Sequence, residues 1–74
     1  MPQVAFGMVL RKLRLAAGMS QEKLGLESGV QRNFISLIET GQNQPTIGTV
    51  FRLADALGFK ASRLVADTEK LIGK

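Results

Sequence analysis

Four glycines divide this 74-residue chain, and each follows a stretch with the apolar spacing of a helix. They are Gly18, Gly29, Gly41 and Gly58. Glycine ends helices at little cost because it adopts the left-handed backbone conformation without strain. No segment between them alternates with the period of a β-strand. The pattern predicts an all-α fold of five short helices in one domain over residues 1–74, with its core between about 6 and 66.

Apolar spacing and capping residues set the expected helix boundaries. Helices are predicted at about 4–17, 21–28, 31–40, 47–57 and from 61 onward. Ser20 and Thr46 precede the second and fourth helices, where a side-chain oxygen can accept a free backbone N–H. The first helix should face the core with Phe6, Val9, Leu10, Leu13 and Ala17. Met8 and Leu15 fall outside that face, and residues 67–74 are expected either to fray or to join a dimer interface.

The composition excludes several functions. The chain has no Cys and no His, which removes disulfides, thiolate metal sites and the commonest general base. Its six acidic residues show no metal-ligand spacing. We therefore expect no enzyme, no metal and no cofactor. No apolar stretch approaches the roughly 20 residues that cross a bilayer, so we expect a cytoplasmic protein without a membrane partner. The net charge of +4 suits an anionic partner, although solubility alone could explain it.

The segment 21–40 carries the pattern that indicates a function. It consists of two short predicted helices joined by a turn at residues 28–30. Two helices that cross at about 90–120° need a small residue where they touch, and Gly25 meets that need. In such a helix-turn-helix the second helix lies in the major groove of DNA, and its N-terminal residues face the base edges.

The second helix of this motif opens with side chains that can recognise bases. Arg32 can pair bidentately with guanine, and Gln31 and Asn33 can pair with adenine. Ser36 lies one turn further along the same side. Gln21 opens the preceding helix, where it could hold a phosphate or brace Arg32. These residues form the predicted DNA-reading site.

Several motifs together resemble one known family. They are LRKLR (10–14), GMSQEKLG (18–25), SGVQRNFISLIETG (28–41), QPT (44–46) and LADALG (53–58). Over roughly residues 6–64 the chain resembles the phage-repressor and Cro-like helix-turn-helix family, often called the XRE family. The resemblance implies five helices, of which the second and third bind DNA. It also implies a transcriptional regulator, since the members are mostly dimeric repressors, activators, restriction-modification controllers and antitoxins.

The resemblance also implies individual residue roles. It would place Arg32, Asn33 and Ser36 at base-reading positions and would give Gln21 a phosphate or base contact. Thr40, Gln42 and Asn43 would line a loop that holds the next phosphates. Arg14 and Glu39 match a family ion pair that joins the first and third helices, which we interpret as structural. One departure is Gln31, which stands where the family more often has a better N-cap, so the third helix should start loosely.

The fifth segment has more apolar residues than a small core needs. Candidates for a two-fold interface are Leu64, Val65, Leu71 and Ile72. The hypothesis is a homodimer that places two copies of helix 31–40 in successive major grooves, about 34 Å apart. Its control would come through protein amount, dimerisation or a protein partner.

Two alternatives belong to other classes. The first is an antitoxin whose main partner is a toxin protein and which binds DNA for autoregulation. The short end 67–74 leaves little room for the partner-binding tail that such a protein usually carries. The second is a basic amphipathic membrane binder, which is disfavoured because the apolar face of the first helix is needed for the core.

Overall fold

Five α-helices make up the computed structural model, which describes residues 1–73. They are α1 (Pro2–Ala16), α2 (Gln21–Ser28), α3 (Arg32–Glu39), α4 (Ile47–Leu57) and α5 (Ala61–Ile72). No strand occurs in this part of the chain. The predicted all-α fold of five helices is confirmed. Lys74, the end of the predicted domain and of the segment 67–74, lies outside the described residues.

The helix starts follow the capping residues. The Ser20 hydroxyl oxygen accepts the backbone N–H of Lys23 at 3.0 Å, and Thr46 caps α4 in the same way. The structure begins α1 earlier than predicted, at Pro2, because proline suits the first helical position, where its missing N–H leaves no bond unmade. It begins α3 at Arg32, and Gln31 is an N-cap whose side chain makes no capping bond. The expected loose start of α3 agrees with this.

All five helices contribute to one core. Six large side chains are fully buried: Leu10, Leu24, Ile35, Ile38, Leu53 and Leu64. Ala17 was expected in the core but is exposed, because α1 ends at Ala16 and the chain turns away at Gly18. Leu64 also needs a correction. It lies wholly within the core of its own chain, and therefore offers no surface to a second copy.

Helix α1 packs against both α3 and α5. Its approach to α3 is close at Gly7. A Cβ atom at that position would overlap the carbonyl oxygen of Ile38 and lie 2.8 Å from that of Glu39. Only a residue without a side chain therefore allows the end of α3 to rest on α1.

Among residues 1–73, no helix is both long enough and apolar enough to cross a membrane.

Candidate nucleic-acid interface

Helix α3 has one buried side and one exposed end. Ile35 and Ile38 are fully buried, and they fix the rotation of the helix about its axis. Gln31, Arg32 and Asn33, which cap and open the helix, are all exposed. The structure thus brings together three of the four predicted base-reading residues on the surface, at the N-terminal end of α3. The fourth, Ser36, is half-buried one turn further on.

The turn between α2 and α3 is built from its own backbone. Gly29 ends α2 in the left-handed conformation, with φ of 75°, and its N–H donates to the Gly25 carbonyl oxygen. The Ser28 hydroxyl oxygen accepts the N–H of Val30 at 3.2 Å. A Cβ atom on Gly25 would lie 3.0 Å from the Val30 carbonyl oxygen. The small residue predicted at this place therefore makes room for the turn that leads into α3.

An ion pair attaches the C-terminal end of α3 to α1. Arg14 donates from Nε to Glu39 Oε2 at 2.6 Å and from Nη2 to Oε1 at 3.0 Å. Its Nη1 donates to the carbonyl oxygen of Met19 at 2.8 Å. The two charged side chains are only 7% and 2% exposed. The hydrogen bond to Glu39 raises the pKa of the Arg14 guanidinium, which therefore stays charged. The predicted structural pair is present, and two guanidinium nitrogens of Arg14 bond to the two carboxylate oxygens of Glu39.

Gln21 joins this buried network. Its Nε2 donates to Glu39 Oε1 at 3.0 Å, so it links the start of α2 to the end of α3. The suggestion that Gln21 braces Arg32 is wrong, because the amide group points to Glu39. A phosphate contact by Gln21 stays a prediction. The sequence did not predict this third member of the network, although the family resemblance implied the pair of Arg14 and Glu39.

The residues after α3 form a short polar loop. The Thr40 hydroxyl lies within hydrogen-bond distance of the Ser36 carbonyl oxygen, at 3.1 Å, and accepts a bond from Gln42 Nε2 at 3.0 Å. The backbone N–H of Asn43 donates to the Leu37 carbonyl oxygen at 3.2 Å. This loop lies at the opposite end of α3 from Arg32, about 12 Å away for a helix of this length. The predicted phosphate and base contacts thus lie at the two ends of one short helix.

The sequence analysis missed exposed apolar side chains on α4. Ile47 is 72% exposed and Phe51, one turn later, is 60% exposed. They fall outside the buried stripe of α4, which contains Val50 and Leu53. The signal was available in the sequence, because two large apolar residues four apart lie off the core-facing side. Their exposure offers apolar surface to another molecule.

This arrangement of helices and exposed polar side chains defines a helix-turn-helix DNA-binding domain. The family model described as HTH_3, helix-turn-helix, matches residues 10–64, and the chain belongs to this family. It is 39% identical to the restriction-modification controller protein C.AhdI from Aeromonas hydrophila, whose crystal structure matches with a TM-score of 0.82 over 84% of this chain and 94% of that one.

Two further relatives extend the comparison. One is the control protein C.BamHI of Bacillus amyloliquefaciens, 34% identical over 64 residues, which cover 85% of this chain and 79% of the relative. The other is an uncharacterised HTH-type transcriptional regulator, y4dJ, of Sinorhizobium fredii, 36% identical over 59 residues, which cover 80% and 77%. The chain is accordingly a DNA-binding transcriptional regulator. Nothing in these relatives favours the antitoxin alternative.

Proposed function

We propose that the chain acts as a homodimeric repressor or controller that inserts α3 of each copy into successive major grooves of a partly palindromic DNA site. The observation that carries the proposal is the exposed N-terminal end of α3. The ion pairs among residues 1–73 are Arg14–Glu39, Lys23–Glu27 and Arg63–Asp67, so the charge of Arg32 is not engaged within this part of the chain. Its guanidinium can therefore meet guanine without first breaking an internal contact.

The base-reading role falls to the residues that open α3. The proposed set is Gln31, Arg32, Asn33 and Ser36. A second set would hold the phosphates on either side and so fix the register of the helix in the groove. It is Gln21, Thr40, Gln42 and Asn43. The base-reading set lies at the start and middle of α3, and the phosphate set adjoins the C-terminal end of α3, where the buried ion pair holds the helix. Both sets would therefore reach DNA in one fixed arrangement.

The dimer contact would use apolar surface that one chain leaves exposed. Val65 and Ile72 are seven residues apart and lie on the same side of α5, two turns from each other. Ile47 and Phe51 add exposed apolar surface on α4. Leu71 lies on the other side of α5, toward α1. An interface built from the first four residues would suit a two-fold pair, in which each surface meets its own copy.

The role proposed is binding and not catalysis. The relatives named above are regulators and controllers: C.BamHI is named as a control protein, and C.AhdI as a restriction-modification controller protein. The choice between repressor and controller concerns which genes lie beside the DNA site. A protein that acts on DNA in this way works where the DNA is, so a cytoplasmic location is part of the proposal.

The test is a selection of random duplex DNA with the purified chain at two salt concentrations. We expect an enriched site with two-fold symmetry and half-sites about 34 Å apart, because that is one turn of the duplex. Binding should weaken at the higher salt concentration, because the release of counterions from the DNA then favours binding less. Enrichment of a single asymmetric half-site would contradict the dimer. Weak binding without any enriched sequence would contradict base reading by α3.

A further inference from the structure

A groove runs between α1 and α5. It has a volume of about 610 Å³. Its floor contains the buried side chains of Val9 and Leu13, and its edges contain Met8 and Leu71, which are 55% and 51% exposed. We call this feature the α1–α5 groove. An apolar floor with half-exposed apolar edges is typical of a surface that another molecule covers.

The apolar surface continues along α1 beyond the groove. Val4, Met8 and Leu15 are large, exposed and spaced four and seven residues apart, so they form one line along the helix. Met8 and Leu15 are the two residues that did not fit the core-facing side in the sequence. Val4 lies close to Gly41, but the core is complete without Met8 and Leu15, so the fold does not account for these two side chains.

The groove is basic. Lys12, Arg63 and Lys70 line it, and the carboxylate among its lining residues is Asp67. Asp67 accepts a bond from Arg63 Nε at 3.0 Å, so its charge is already balanced. Lys12 and Lys70 take no part in the ion pairs among residues 1–73. Two lysines therefore stand beside an apolar floor with no carboxylate left to meet them.

The groove lies on the side of α1 that faces away from the DNA-reading helix. On α1, Gly7 and Arg14 both contact the end of α3. The α1 residues that line the groove are Met8, Val9, Lys12 and Leu13, and no residue of α3 lines it. A molecule in the α1–α5 groove would thus leave α3 free to bind DNA.

We propose that the α1–α5 groove binds an acidic amphipathic helix of a partner protein. The apolar face of such a helix would cover the groove floor and Met8 and Leu71, and its carboxylates would meet Lys12 and Lys70. A second copy of the chain fits less well, because a two-fold contact through this surface would bring two basic surfaces together. A flat lipid surface would not fill a concave groove.

The proposal is tested by selecting a displayed library of random helical peptides against the full chain. We expect enriched peptides with apolar residues at positions i, i+3, i+4 and i+7 and with Asp or Glu on the flanks. The doubly charge-reversed variant Lys12→Glu with Lys70→Glu should bind these peptides about tenfold more weakly, since two attractions become repulsions. The matched control reverses two exposed lysines outside the groove, Lys23→Glu with Lys60→Glu, and should bind them unchanged.

Other outcomes would overturn the proposal. They are the absence of enriched peptides, peptides without an acidic bias, and binding that the groove variant does not weaken. Vesicles of phosphatidylglycerol provide the lipid arm: binding of the chain to them that the groove variant abolishes, without peptide binding, would assign the surface to a membrane. Dissociation of a dimer by Met8→Glu with Leu71→Glu would assign it to a second copy.

This test is independent of the proposed DNA-reading role. The groove variant should fold with the melting curve of the parent chain, because both lysines are exposed. It should also still bind the duplex that the parent chain selects, because the groove faces away from α3. A parent chain that selects a duplex but enriches no acidic peptide would therefore contradict the groove proposal alone.

Discussion

The two ends of α3 are built in opposite ways. At its C-terminal end, Glu39 is buried and accepts hydrogen bonds from Arg14 and Gln21, which belong to two other helices. At its N-terminal end, Arg32 and Gln31 are exposed, and Gln31 does not even cap its own helix. The polar groups that hold the helix in place therefore have hydrogen-bond partners within the fold, and the polar groups that point outward are left free to bind another molecule. The C-terminal end of α3 thus holds the helix in place, and its N-terminal end is accessible for binding.

The largest expected effect comes from breaking the buried end with Glu39→Gln. The substitution keeps the shape of the side chain but leaves the Arg14 guanidinium buried without a counter-charge. Removing one partner of a buried ion pair costs about 3–5 kcal/mol, which is most of the stability of a small domain. Urea unfolding should therefore show that the variant is largely unfolded already without urea, or that it unfolds at a very low urea concentration. An unfolding midpoint within error of the parent chain would contradict the structural role of the pair.

Two further variants separate charge from packing. The double change Arg14→Met with Glu39→Leu should recover most of the lost stability, because apolar residues of similar size replace both charges. Glu27→Gln breaks the exposed pair with Lys23, and should cost no more than about 0.5 kcal/mol. The raised pKa of Arg14 means that the stability linked to the protonation of this guanidinium is fully present below the ordinary arginine pKa. It is lost only as pH rises through the raised value, so it is constant at neutral pH.

The next effect tests the close contact that carries α3 on α1. Gly7→Ala introduces a Cβ atom that would overlap the Ile38 carbonyl oxygen, which is backbone and cannot rotate away. Overpacking of this kind costs about 1–3 kcal/mol and should exceed the gain in helix propensity of up to about 1 kcal/mol. Thermal unfolding should show a lower midpoint. The control is Gly48→Ala, whose Cβ would lie 3.9 Å from its nearest neighbour and should not destabilise the chain.

The sequence predicted the contacts that depend on residue type better than those that depend on distance. The capping role of Ser20 follows from hydrogen-bonding chemistry, and the Arg14–Glu39 pair was implied by the family resemblance; both are present. The need for glycine at position 7 was missed, because it arises from the approach of two helices distant in sequence. Leu64 was a candidate for the interface but is buried in the core, since apolar spacing alone does not say which neighbour covers a side chain.

The next variant changes the exposed N-terminal end of α3 and leaves the buried C-terminal end intact. Arg32→Ala should reduce affinity for the selected DNA site by about 1–3 kcal/mol per half-site and relax the preference at one base pair. Its thermal unfolding midpoint should stay close to that of the parent chain, because Arg32 is exposed and outside the ion pairs of residues 1–73. Arg52→Ala removes an exposed arginine from α4 and should leave the base preference unchanged. An Arg32→Ala variant with unaltered base preference would remove Arg32 from the base-reading set.

The smallest effect is expected from a variant that adds a side-chain capping bond at the exposed N-terminal end of α3. Gln31→Ser places a short hydroxyl side chain at the N-cap of α3, where it can accept a backbone N–H that the glutamine leaves without a side-chain partner. Good N-caps contribute about 1 kcal/mol, so urea unfolding should shift to a higher midpoint. If Gln31 contacts a base, the same variant should bind the selected site more weakly, because serine is too short to pair bidentately with adenine. A gain in stability without a loss of affinity would show that residue 31 only starts the helix, and base reading would then begin at Arg32.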